Sequence, residues 1–105
     1  MTNQEIIGEL LSVNEKVKQK NADDPYAENY AVEKASEAVT LIKQYKTEDF
    51  KEKESVRKAL EKMELVKELA DKSKINGSGV SPADVLTKVQ EIIEEFVIET
   101  QGLAI

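Results

Sequence analysis

The chain contains no histidine, no cysteine and no tryptophan. Without cysteine there can be no disulfide and no thiolate metal site, and neither redox compartment is indicated. General acid and base work near neutral pH usually falls to His, and nucleophilic catalysis to Cys or an activated Ser. Carboxylate pairs, a Tyr or a Lys tuned by burial remain, and nothing in the local sequence singles one out. Helical bundles that hold two irons need Glu-x-x-His, which this chain cannot supply, and no Asp-x-Asp-x-Asp-Gly loop suggests calcium. The expectation is a protein that binds rather than catalyses, with no catalytic residue, cofactor or metal.

Proline (2), glycine (4) and aromatics (3 Tyr, 2 Phe) are all scarce, which leaves few signals for a β-sandwich or barrel. No apolar run approaches the roughly 18 residues of a membrane span. The opening Met-Thr-Asn-Gln-Glu has neither a basic n-region nor an apolar h-region, so no signal peptide and a cytoplasmic location are expected. Arg57 is the single arginine, a skew toward lysine associated with AT-rich bacterial or phage genomes. A net charge of −6 disfavours nucleic acid or an anionic membrane as a direct partner, since phosphate binding draws on clustered Lys and Arg.

What the chain does have is helical periodicity nearly throughout. Hydrophobic residues make up 40% and charged residues 34% of its 105 residues, enough apolar surface for one core and one domain over residues 1–105. Thr2 and Glu5 have capping-box spacing, and Ile6, Leu10, Val13 and Val17 follow as a stripe that predicts a first helix over residues 3–20. Asp24 and Pro25 read as the N-cap and first position of a second helix, over 25–45. Its inner face is built from Ala27, Ala31, Ala35 and Ala38, with Tyr30, Leu41, Ile42 and Tyr45 between them. Thr47 is the expected cap of a third helix over 48–74, buried through Val56, Ala59, Leu60, Met63, Val66 and Ala70, with Phe50 closing its start over the core.

Asn76-Gly77-Ser78-Gly79 is the clearest break. Ser81, Pro82 and Asp84 then specify the start of a fourth helix over 82–101, and Val80 and Val85 fit a hydrophobic staple. At 100° per residue, Val85, Leu86, Val89, Ile92, Ile93, Phe96 and Val97 cover an arc of about 140°. The fold class is therefore all-α, with an antiparallel up-down four-helix bundle as the expected architecture. Size and pattern are similar to those of small helical binders such as bacteriocin immunity proteins, phage-encoded inhibitors and assembly chaperones, a likeness of architecture alone.

Candidate binding residues lie mainly on the last helix. Asp84, Glu91, Glu94, Glu95 and Glu99 against Lys88 alone concentrate the acidity of the chain there. Glu91, Glu94, Glu95 and Glu99 share the arc opposite the apolar stripe, which suggests a docking surface for a basic partner, or simply a solvated face. Ile98 falls inside that acidic arc, and Leu103 and Ile105 follow the helix end. An apolar group rimmed by charge is a common interface design. Val32 and Val39, and likewise Leu65 and Leu69, form further apolar pairs off the core faces. Tyr26, beside the Asp23-Asp24-Pro25 turn, is the aromatic most available to a partner. The expected function is a small acidic protein-interaction module, an inhibitor, adaptor or chaperone. The alternative is a self-assembling structural subunit, a homodimer or larger, of a bacterial or phage assembly.

Overall fold

The computed structural model describes residues 1–102 and shows an all-α four-helix bundle, 45 × 22 × 22 Å. The helices are α1 (Asn3–Gln19), α2 (Ala27–Gln44), α3 (Phe50–Ser73) and α4 (Pro82–Gln101). The ends of α1 and α4 are set by local chemistry. Thr2 Oγ1 accepts the Glu5 amide at 3.1 Å while the Glu5 carboxylate accepts the Thr2 amide at 3.0 Å. Ser81 and Asp84 repeat this reciprocal box at the head of α4, with Pro82 in its first position. Two of the four orphan amides of each helix are thereby satisfied. Gly102 ends α4 at φ 66°, in the left-handed region that favours glycine, its amide donating to Ile98 O at 2.8 Å.

The middle helices start later than their sequence suggests. α2 begins at Ala27, not Pro25, because the Asp24 carboxylate accepts the Tyr26 amide at 2.8 Å in a tight turn of its own. α3 begins at Phe50 because Asp49, rather than Thr47, is its N-cap, accepting the Glu52 amide at 2.9 Å. Thr47 instead accepts the amide of Asp49 one step earlier, at 3.0 Å. Phe50 does not close over the core: it is 78% exposed, since the first turn of α3 projects it away from the other helices.

The core takes in Ile6, Leu10, Val13 and Val17 of α1, the four alanines and Ile42 of α2, Ala59, Met63, Val66 and Ala70 of α3, and the whole apolar arc of α4. α4 and α2 each pack against all three other helices, whereas α1 and α3 do not pack against each other. In a ring of four helices, that means one diagonal is short. Alanine makes it short: Ala27, Ala31 and Ala38 are fully buried, and without longer side chains two helix backbones can approach toward the lower end of the usual 8–10 Å spacing.

Ties between helix ends fix the neighbours. The side chain of Asn3 makes a two-way bond with the backbone of Lys46, joining the start of α1 to the end of α2. Lys74 Nζ donates to Asn29 Oδ1 at 3.0 Å, joining the end of α3 to the start of α2. Tyr45 packs edge-on against Phe96 with centroids 5.4 Å apart. Its hydroxyl donates to Glu52 at 3.0 Å and accepts from Gln101 at 3.3 Å, so it is bonded within the protein. Burial, together with that bond to a carboxylate, raises its pKa.

Two substitutions test this account. Ala31→Leu, which forces extra methylenes into the α2–α4 contact, should cost about 1–3 kcal/mol, read as a lowered urea midpoint. Gly8 lies exposed in mid-α1 with nothing near an added Cβ, so Gly8→Ala should stabilise by about 0.5–1 kcal/mol, read the same way.

Candidate functional site

The acidic arc of α4 is not one open surface. Glu94 leans toward α1, where its carboxylate accepts from Asn14 Nδ2 at 2.9 Å and pairs with Lys18 at 3.2 Å. Glu95 and Glu99 lean the other way, toward α3. Lys62 reaches Glu95 at 2.7 Å, and Lys58 reaches Glu99 at 2.8 Å and Glu95 at 3.6 Å. As α3 rises from Lys58 to Lys62, its partners on α4 fall from Glu99 to Glu95, so these two helices run in opposite directions. The carboxylates thus straddle α4 and clamp it to both neighbours, and the cleft beneath the α3–α4 pairs has room for about one water, roughly 10 Å³.

Electrostatics follow from these partners. The Glu94 carboxyl is held below the ordinary range first by the hydrogen bond from Asn14 and then by Lys18, against the opposing effect of burial. Glu99 is lowered chiefly by its bond from Lys58, which in turn raises the pKa of Lys58. Asn14 is buried at 1% exposure and its Oδ1 has no protein partner. Its amide nitrogen is committed to Glu94, so the cost of that orphan acceptor is accepted to bring a charged residue of α4 against α1.

Of the other candidate residues, Glu91 is exposed and Ile98 is 46% exposed, both pointing outward between the two sets of ion pairs. Tyr26 is 70% exposed at the end of the α1–α2 turn. Leu103 and Ile105 lie outside the described residues. Tyr26 is far along the chain from the α4 group and the structure records no hydrogen bond, ion pair or ring contact joining them among the described residues.

A wider concavity lies elsewhere. A groove of about 430 Å³ runs between α2 and α3, floored by Val32, Ala35, Val39, Met63 and Val66 and edged by Ser36, Thr40, Glu64 and Lys67. Val32 and Val39 are the off-face pair visible in the sequence, now half-buried against the core with one side still open. Ser36 and Thr40 carry no such sequence signal; they matter because their small side chains leave the trough uncovered. Leu69 packs against the core, while Leu65 stays 51% exposed. Among the described residues no cluster of acidic side chains is arranged to hold a metal ion, and no helix is long and apolar enough to cross a membrane.

No known protein family, curated protein or solved structure matches this chain.

Because Glu94 and Glu99 have pKa values lowered in the folded state, their contribution to stability is present above the unfolded carboxylate value, about 4.3, and is lost as pH falls through the folded values. The urea midpoint should therefore hold between pH 7 and about 5 and decline below about 4.3. Glu94→Gln, which keeps an acceptor for Asn14 and removes the charge facing Lys18, should lower the midpoint at pH 7 and make the acid decline shallower.

Proposed function

We propose that this protein is a small protein-binding module, acting without catalysis, and that it receives an apolar segment of its partner in the α2–α3 groove. The observation that carries this reading is the groove itself. An open trough between two helices, floored by aliphatic side chains and rimmed by short polar ones, suits a helix laid lengthwise, with apolar anchors at helical spacing. Its lining is aliphatic at the base, with Glu64 and Lys67 exposed at the edge, so burial of partner methyl groups would desolvate little charge. An inhibitor, an adaptor and a chaperone would each use such a surface in the same way.

The acidic arc of α4 supports this role indirectly. With Glu94, Glu95 and Glu99 drawn sideways into ion pairs, a basic partner would compete with lysines already in place, and such exposed pairs contribute little each. The α2–α3 groove needs no internal bond to be broken before it is filled.

Site-specific photo-crosslinking separates the two surfaces. A photoreactive residue at Ser36, on the groove edge, should yield a discrete protein adduct in a cell extract at least ten times more abundant than one placed at Ile98 on α4. Equal yields, or an adduct from Ile98 alone, would move the contact to the last helix.

A further inference from the structure

Along the flank of α2 that faces the groove run Glu28, Val32, Ser36, Val39 and Lys43, at steps of four, four, three and four residues. That spacing keeps all five on one edge of a helix. Val32, Ser36 and Val39 line the groove, with Glu28 in the first turn of α2 and Lys43 in the last. The stripe is symmetric about its middle, between Ala35 and Ser36: a valine on either side at equal distance, then a charge on either side at equal distance, of opposite sign. Glu28 and Lys43 lie about 22 Å apart at 1.5 Å per residue. Among the described residues neither is within 4 Å of an opposite charge, whereas Lys18 on α1, Lys34 on α2 and Lys53, Lys58 and Lys62 on α3 each meet a glutamate.

From this we infer that the occupant of the groove is a second copy of the chain, packed through α2 in antiparallel fashion about a two-fold axis at Ala35–Ser36. The inference rests on the groove reading and names its partner. A two-fold interface must be self-complementary, each residue meeting its counterpart from the other copy. Reversing one stripe against another sets Glu28 opposite Lys43 of the second copy, twice, and Val32 opposite Val39 of the second copy, twice. The small Ala35 and Ser36 at the axis let the helices approach. The same reversal places the N-terminal end of each α2 dipole beside the C-terminal end of the other.

Charge agrees with this occupant. The groove and its ends carry Glu28, Glu64, Lys43 and Lys67, two of each sign in a chain of net −6. This is therefore a flank on which two copies can meet without adding to the repulsion between them.

Light scattering coupled to size-exclusion chromatography on the full chain tests this directly. The wild type should approach twice 11.8 kDa at high concentration and dissociate on dilution. Glu28→Lys and Lys43→Glu should each raise the dissociation constant at least tenfold, with helicity by circular dichroism unchanged. An equimolar mixture of the two variants should recover the dimer mass, because each then offers the charge that the other needs. A wild type of single-chain mass at every concentration, or a dimer indifferent to both substitutions, would overturn the inference. The groove reading would then stand or fall separately, on whether Ser36 crosslinks a different protein.

Discussion

The close approach of α2 to α4 across the bundle is the constraint from which the other features follow. Four helices arranged as a square leave a central channel that large side chains must fill. Here α2 offers Ala27, Ala31, Ala35 and Ala38 to the centre, too little volume to fill such a channel at the density of a protein interior. The void is removed by moving α4 inward instead. α4 can do so because its apolar arc is wide enough to face three neighbours at once, from Val85 to Val97. α1 and α3 are then displaced to the two far corners and do not meet.

That rhombic section determines what α4 can do with its charges. A helix drawn toward the centre has neighbours close on both sides, so carboxylates that would otherwise point into water lie within reach of α1 and α3. Glu94 finds Asn14 and Lys18 on one side; Glu95 and Glu99 find Lys62 and Lys58 on the other. Individually such half-exposed pairs are weak. Their arrangement at two seams nevertheless biases the position of α4 against both neighbours, loosely along α3, where Lys58 reaches Glu99 and Glu95 alike. Asn14 has the same effect more strictly, since an amide buried in an apolar seam finds its one acceptor only in the observed register.

The bundle was legible in the sequence wherever the determining chemistry is local. The capping boxes at Thr2–Glu5 and Ser81–Asp84 need only three residues of context, and the apolar stripes of α1 and α4 report their own burial through their period. The starts of α2 and α3 were harder for the same physical reason. Asp24, Thr47 and Asp49 each carry an oxygen able to accept a nearby amide, and turns compete with helix caps for such oxygens. Phe50 was misplaced because hydrophobicity indicates a tendency to be buried but not whether a neighbouring helix lies on that side. Lys58, Lys62, Lys18 and Asn14 gave no signal as partners of α4, since their meeting depends on the relative register of helices distant in the chain. The groove was half visible: Val32 and Val39 stood out as apolar residues off the alanine face, but the opening beside them exists only once α3 is in place.

The short diagonal also bears on why a groove lies beside α2. A helix packed through alanines buries a narrow strip, and its flanks are covered only as far as the adjacent helices reach. On the α1 side, Tyr30 and Leu41 extend the contact with larger side chains, and Lys20 and Lys34 lie over the Tyr30 ring at 4.8 and 5.1 Å. On the α3 side the corresponding positions are Val32, Ser36 and Val39, which are too short to meet Met63 and Val66 fully, so the trough remains. The economy of volume that draws α4 to the centre thus leaves apolar surface uncovered on one flank of the same helix. That flank is bounded by Glu28 and Lys43, placed symmetrically and without intramolecular partners among the described residues. Ends matched in this way give a second copy of the chain a complementary surface, the condition a two-fold contact has to meet.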